Sequence, residues 1–168
     1  MIKRALAYAW AAPCTALGLV AGLAMLATGG RVRILRRTFE FSGGLLPLGL
    51  ARLPQGLTWL PQGCRFSAIT LGHVILGVNS QLLDTLRDHE QVHVAQYERW
   101  GPLFIPTYVL SSAWQMCRGR CAYRDNYFER QAYANAAAQA TPQGGSARAI
   151  SASKLATASA VSTPNTTA

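Results

Sequence analysis

The stretch Asp88-His89-Glu90-Gln91-Val92-His93 decides the fold prediction for this chain, because it places two imidazoles and a carboxylate in helical register. Residues four apart lie on one face of an α-helix, so His89 and His93 can turn ring nitrogens toward one cation. Glu90 is not needed as a ligand, and it can serve as the general base for a water activated by the metal. The spacing predicts a zinc site that supports hydrolysis.

The flanking sequence favours a helix around this motif. Thr85, followed three residues later by Asp88, is typical of a helix start, and Gly101-Pro102 is typical of a helix end. One predicted face is apolar except for the motif, and it consists of Leu86, His89, Glu90, His93, Tyr97 and Trp100. Buried polar groups need partners, and a cation supplies one. The alternative is a solvated helix that carries two titratable histidines and no metal.

A catalytic zinc site needs a third protein ligand and one open position. No histidine follows His93, so the third ligand is expected to be a carboxylate. Glu98 lies on the same helix and points away, whereas Glu129 borders the apolar stripe of a second amphipathic segment and is the predicted ligand. Asp125, at the start of that segment, is expected to cap it or to orient a histidine. The alternative for Glu129 is a surface ion pair.

Residues 65–79 are rich in Ile, Val and Thr and predict one strand or a bent pair, interrupted by Gly72 and Gly77. His73 falls on this segment. It is a candidate hydrogen-bond donor to an oxyanion, with an ordinary structural histidine as the alternative.

Together, these residues resemble the gluzincin branch of the zinc metallopeptidases. The match consists of His89-Glu90-x-x-His93 and Glu129, which lies 36 residues after His93. Residues 70–77, 88–93 and 96–103 are similar to small membrane-associated bacterial proteins with a minimal zincin core, and the similarity covers about residues 65–135. The resemblance implies an α+β fold with a short sheet, an active-site helix and a Glu-bearing helix. It also implies an edge strand that pairs with an extended peptide.

The N-terminal region predicts a membrane anchor over residues 1–30. Residues 5–28 form an uncharged run of 24 residues, and a bilayer core is crossed by about 20 helical residues. The run is also longer than the apolar part of a signal peptide, although a cleavage site near Ala27 is the alternative. A single-pass, N-terminally anchored membrane protein is therefore expected.

The basic residues beside this run predict lipid contact. The formal net charge is +9, and Arg31, Arg33, Arg36 and Arg37 follow the run without an intervening acid. Such clusters bind anionic head groups, and their excess over Lys3 and Arg4 places the soluble part in the cytoplasm. Interleaved aromatic residues and nucleic-acid motifs are missing from these clusters, so nucleic-acid binding is not expected. Four scattered cysteines suit a reducing compartment.

Composition divides the rest of the chain. Residues 31–63 predict a linker with one strand near 37–41, residues 64–138 the zincin-like metal-binding domain, and residues 139–168 a disordered tail. Residues 103–117 are uncharged and predict either an interfacial helix or a core helix between the two ligand helices. The expected function is zinc-dependent hydrolysis of peptide bonds, and the alternative is a non-catalytic membrane scaffold or binding protein with the same fold.

Overall fold

The computed structural model describes residues 2–44 and 67–140, and these residues form a mixed α+β fold. The elements in chain order are α1 (Ile2–Ala27), β1 (Arg31–Leu35), β2 (Thr38–Ser42), β3 (Ala68–Leu71), β4 (Val74–Gly77), α2 (Ser80–Trp100), a 3₁₀ turn (Gly101–Leu103), α3 (Phe104–Cys117) and α4 (Tyr127–Ala140). The expected α+β class is confirmed. The tail predicted at the C-terminus lies outside the described residues from residue 141 onward.

The four strands form one sheet in the order β1-β2-β4-β3. β1 and β2 are an antiparallel hairpin, and Arg36 and Arg37 between them both have positive φ (48° and 70°), as a two-residue type I′ turn requires. β2 runs parallel to β4, and β3 pairs with β4 antiparallel. The bent pair predicted for residues 65–79 is therefore the β3–β4 hairpin.

Residues 31–42 of the predicted linker belong to the sheet: the strand predicted near 37–41 is β2, and β1 was not predicted. The arginines of this segment were expected to contact lipid head groups, and two of them instead pair with acids of the fold. Arg33 lies opposite Glu40 across the β1–β2 ladder and pairs with it at 3.3 Å, and it also pairs with Asp84 of α2 at 2.8 Å. Arg36 pairs with Asp88 of α2 at 2.7 Å. Residues 45–63 lie outside the described residues.

Helices cover both faces of the sheet. β4 is buried along its whole length. Val74 packs with Met25 of α1, whereas its neighbour Ile75 packs with Leu83 and Val94 of α2. Because successive strand residues point to opposite faces, this alternation places α1 on one side of the sheet and α2 on the other.

Helix α1 is part of the domain as well as an apolar helix. Its window Arg4–Ala27 has a mean hydropathy of 1.7, so it is long and apolar enough to cross a membrane. One stripe of α1 is nevertheless buried against the domain, and it comprises Ala11, Cys14, Gly18, Gly22 and Met25. The small residues permit close approach, since a Cβ on Gly18 would lie 2.7 Å from the Val74 Cβ. The predicted apolar N-terminal helix is therefore present, and it also packs along the sheet.

Helix α2 begins earlier than predicted. Asn79 is its N-cap and accepts a hydrogen bond from the Leu82 N–H at 2.8 Å, so the predicted start at Thr85 is wrong. The Thr85 hydroxyl donates instead to the Gln81 carbonyl inside the helix. The predicted end is confirmed, because Gly101 has a φ of 54° and its N–H bonds to the Tyr97 carbonyl.

Candidate metal centre

Helices α2 and α4 bring together the three residues that the sequence predicted as ligands. The Nε2 atoms of His89 and His93 are 3.1 Å apart, and Glu129 lies 3.2 Å from the first through Oε2 and 3.4 Å from the second through Oε1. Ligands at 2.0–2.2 Å from a tetrahedral zinc are separated by about 3.3 Å. The shortest contacts between the three side chains are close to this separation, but the two imidazoles approach different oxygens of Glu129. With one donor atom taken from each residue, the three atoms lie within 4.8 Å of one another, and this group could hold a metal ion.

Burial makes these three groups depend on a partner. His89 and His93 are each 7 % exposed, and Glu129 is 3 % exposed. Within the part of the chain that the structure describes, Glu129 Oε2 accepts no hydrogen bond. The two facing Nε2 atoms can share only one proton between them. A buried acceptor without a donor is costly, and a cation bound between the three side chains would satisfy it.

Gln96 fixes the tautomer of His93, and the sequence analysis missed this role. The Gln96 Nε2 donates to the Phe128 carbonyl at 3.1 Å and to Gln131 Oε1 at 2.8 Å. Its Oε1 must therefore face His93 Nδ1, which lies 2.8 Å away and donates to it. This leaves His93 Nε2 with a free lone pair, as metal ligation requires. A glutamine three residues after the second histidine was the available signal.

Tyr108 of α3 completes the surroundings of Glu129. Its hydroxyl donates to Glu129 Oε1 at 2.8 Å. Asn126, which is fully buried, holds α3 beside the start of α4: its Oδ1 accepts from the Phe128 N–H at 2.9 Å, and its Nδ2 donates to the Tyr108 carbonyl at 3.0 Å. The amide of Asn126 thus caps α4 and positions Tyr108 through one side chain.

Asp125 does not reach the histidines through the contacts observed. Its Oδ2 accepts a hydrogen bond from the Cys121 N–H at 2.9 Å, and its own N–H donates to the Cys121 carbonyl at 3.1 Å. Asp125 therefore closes the turn before α4, and the helix-capping role predicted for it belongs to Asn126.

His73 lies against α1 and not among the three ligands. Its ring stacks on Tyr8 with centroids 4.1 Å apart, and Nδ1 is 3.3 Å from the Thr15 hydroxyl. Nε2 is 3.2 Å from Glu98 Oε1. Both ring nitrogens are thus in contact with other groups, and the structure does not bring this histidine to the metal group as the oxyanion donor considered from the sequence.

Glu90 lies next to His89 on α2 and is 4 % exposed. Its Oε2 accepts a hydrogen bond of 2.6 Å from the Thr70 hydroxyl. Thr70 belongs to β3, which pairs with β4 on one side only among the described strands. The carboxylate is therefore fixed between α2 and the edge strand β3.

Electrostatic interactions within the metal group favour the ionised form of Glu129 and the protonated form of His93. Burial by itself raises the pKa of Glu129, but the close contacts with the His89 and His93 rings and the hydrogen bond from Tyr108 outweigh it and hold the pKa at about 2. Burial opposes protonation of His93, yet the hydrogen bond to Glu129 and the charge of Glu90 raise its pKa. Burial and the nearby charge of Glu129 raise the pKa of Tyr123, which keeps that phenol neutral. Glu129 is therefore ionised, and its negative charge stabilises a positive charge on or between the two imidazoles.

Comparison with protein-family models, with curated proteins and with solved structures finds no match. The metal group consists of two imidazoles one helical turn apart and a carboxylate from a second helix. What this arrangement can do chemically is to bind a divalent ion through nitrogen and oxygen, the donor types that suit zinc.

Proposed function

We propose that this protein is a membrane-associated zinc metallopeptidase with a minimal zincin-like core, which hydrolyses peptide bonds. The single observation that carries the proposal is the buried group of His89, His93 and Glu129, in which the two Nε2 atoms are 3.1 Å apart and the two carboxylate oxygens lie 3.2 and 3.4 Å from them. A bound zinc ion would supply Lewis-acid polarisation and a nucleophilic water at neutral pH.

The protein's own groups divide the remaining work. Glu90 is the general base: it accepts a proton from the attacking water and returns it to the leaving amine. The Thr70 hydroxyl holds Glu90 Oε2, so that Oε1 is the atom that exchanges the proton. Gln96 keeps His93 in the ligand tautomer, and Tyr108 orients Glu129. The edge strand β3 offers backbone groups to an extended peptide beside Glu90.

A second function is a non-catalytic scaffold in which the same ion is structural. The observation that favours it is the burial of the group, because its three side chains are at most 9 % exposed and structural zinc sites are closed to solvent.

The substitution Glu90→Gln separates the two functions in the full chain, purified in detergent. A peptidase is expected to retain zinc and lose turnover of a quenched fluorescent peptide mixture by about 10²–10⁴-fold. Glu98→Gln is the matched control, since Glu98 contacts His73 and should retain both zinc and activity. Wild-type protein that holds zinc and cleaves no peptide would establish the scaffold, and wild-type protein without metal would refute both.

A further inference from the structure

The outward sides of α1 and α3 carry large apolar residues that no other part of the described chain covers. We call this surface the apolar platform. Its members that are 53–68 % exposed include Leu6, Leu17, Val20, Val109, Leu110 and Trp114. The two helices adjoin where Gly101 packs against the Trp10 ring, and Ala11 and Phe104 share one buried cluster. A water-facing helix normally has a polar outer side, which both of these helices lack.

The exposure of α3 argues against the interpretation of residues 103–117 as a core helix. Phe104 is the only buried residue of α3. Tyr108 turns inward to Glu129, while Val109 and Leu110 on the opposite side are 53 % and 68 % exposed. Helix α3 thus has one side in the protein and one apolar side that remains to be covered.

Charge indicates what covers the platform. Residues 5–30 and 100–117 contain no charged side chain, and arginines stand at their borders. Arg118 and Arg120 follow α3 without a neighbouring acid, and the Arg118 guanidinium lies 4.8 Å from the centre of the Trp114 ring. Arg31 and Arg37 are exposed after α1. An uncharged face bordered by tryptophan and arginine matches the apolar interior and the anionic head groups of a lipid bilayer.

The orientation of α1 relative to the membrane follows from the residues that pack against the middle of the helix. Thr15, midway along α1, contacts His73, and His73 in turn contacts Glu98. The Glu98 side chain is 39 % exposed, and Arg99 beside it is exposed. If α1 crossed the bilayer, these two charged side chains would lie at the depth of the membrane centre. Exposed charges at that depth are strongly unfavourable.

We propose that α1 lies in the plane of the membrane rather than across it, with the apolar platform immersed in one leaflet of an anionic bilayer. Both ends of α1 then face the same side, and the domain sits on that leaflet. This replaces the single-pass topology expected from the sequence. The proposal does not depend on the metal group. The two regions are adjacent, because Tyr108 on α3 donates a hydrogen bond to Glu129.

The decisive experiment labels the two ends of α1 in the full chain. Cys64, Cys117 and Cys121 are replaced by serine, and Cys14 is kept because it is 3 % exposed. Ala5→Cys and Ala27→Cys are then made singly; both positions are exposed and are about 33 Å apart along the helix. A membrane-impermeant maleimide is added to intact and to lysed spheroplasts of an expressing bacterium.

An in-plane helix is expected to give the same pattern for both cysteines, either both labelled in intact spheroplasts or both only after lysis. Labelling of one end in intact spheroplasts and of the other only after lysis would overturn the proposal. The unmodified Cys14 background serves as the control for nonspecific labelling.

A second measurement keeps the α3 contribution testable if these variants fold poorly. In the full chain with Trp10, Trp59 and Trp100 replaced by phenylalanine, the remaining Trp114 is reconstituted into vesicles of phosphatidylcholine and phosphatidylglycerol. Lipids brominated near the head group are expected to quench Trp114 more strongly than lipids brominated near the chain ends. Absence of quenching by either lipid, or stronger quenching by the deeper label, would contradict a platform at the leaflet surface.

Discussion

Tyr108 donates a 2.8 Å hydrogen bond to Glu129 Oε1, and this contact joins the apolar helix α3 to the candidate metal group. The tyrosine lies on the helix whose other side is uncovered, whereas the carboxylate lies within 3.4 Å of both imidazoles. Side chains that hold a ligand in place commonly matter nearly as much as the ligand. The first prediction follows from this contact.

Tyr108→Phe is expected to lower zinc affinity about 10–100-fold while the protein stays folded, because Glu129 loses the donor that orients it. Competition with a chromogenic chelator measures the affinity. Tyr127→Phe is the matched control, since the Tyr127 side chain is exposed and should bind zinc like the wild type. Equal affinities for the two variants would show that the hydroxyl does not position the ligand.

Glu129→Gln is expected to remove bound zinc, because a neutral amide replaces the only carboxylate of the group. Elemental analysis of the purified full chain should fall from close to one ion per chain to nearly none. Chelation of the wild type should lower its melting temperature, since metal binding contributes to folding stability, and should leave that of Glu129→Gln unchanged. Zinc retained at the wild-type level by this variant would exclude the proposed ligand set.

Gly18→Val is expected to destabilise the protein by about 1–3 kcal/mol through overpacking. A Cβ at Gly18 would lie 2.7 Å from the Val74 Cβ and 3.0 Å from the Leu71 carbonyl oxygen. Ala16→Val, on the exposed side of α1, introduces the same residue without this clash. Thermal unfolding in detergent compares them. Equal stabilities of the two variants would mean that α1 does not pack on the sheet. The interpretation of α1 as a separate membrane anchor would then hold.

Glu40→Gln is expected to cost about 3 kcal/mol, because breaking a buried ion pair leaves its partners uncompensated. The Glu40 side chain is 1 % exposed, and it accepts hydrogen bonds from Arg87 at 2.8 and 3.1 Å. Asp88→Asn removes the exposed pair with Arg36 and should cost less than about 1 kcal/mol. Chemical denaturation of both variants tests this order, and a reversed order would contradict the role assigned to Glu40.

The stability of the metal-free protein should depend on pH through Glu129 and His93. The pKa of Glu129 is lowered from 4.5 to about 2, so its ionised form stabilises the fold above pH 4.5 and this contribution is lost as the pH falls toward 2. The pKa of His93 is raised from 6.5, so its contribution is complete below pH 6.5 and is lost as the pH rises through the folded-state value. Maximum stability is expected between these limits.

Thermal unfolding of chelated protein across the acid and neutral range measures this profile. Added zinc should stabilise most on the neutral side, because the neutral imidazole is the ligand. Glu129→Gln should flatten the metal-free profile, since it removes one member of the pair and the main cause that raises the His93 pKa. If the stability of metal-free Glu129→Gln varied with pH as that of the wild type does, groups other than Glu129 and His93 would cause the pH dependence.

Much of the candidate metal group was predictable from local sequence. The interval of four between His89 and His93 fixes their common helix face, whatever the rest of the chain does. Glu129 was found by exclusion and by its place beside an apolar stripe, and the structure brings it to the rings. Gln96 and Tyr108 were missed, because hydrogen bonds between side chains on different elements leave no periodic pattern.

The boundaries and the role of α1 were harder to predict, and the reason is competition between local signals. Thr85 and Asn79 both suit a helix start, and only Asn79 places its side chain on an unpaired N–H. The arginines after α1 were expected to contact lipid head groups, whereas Arg33 pairs with Glu40 and Asp84. Composition shows that a residue is charged, but it does not show whether an oppositely charged residue lies beside it in the folded protein.

The sequence by itself determined the helical pair of imidazoles, the apolar nature of α1 and α3 and the α+β class, because each follows from spacing or composition within one segment. The tertiary structure alone decided that Glu129 closes on those imidazoles, that His73 belongs to α1 and Glu98, and that α1 packs along the sheet. These facts depend on contacts between residues distant in the chain. Such contacts arise only when burial of the apolar faces sets the relative positions of the helices and strands.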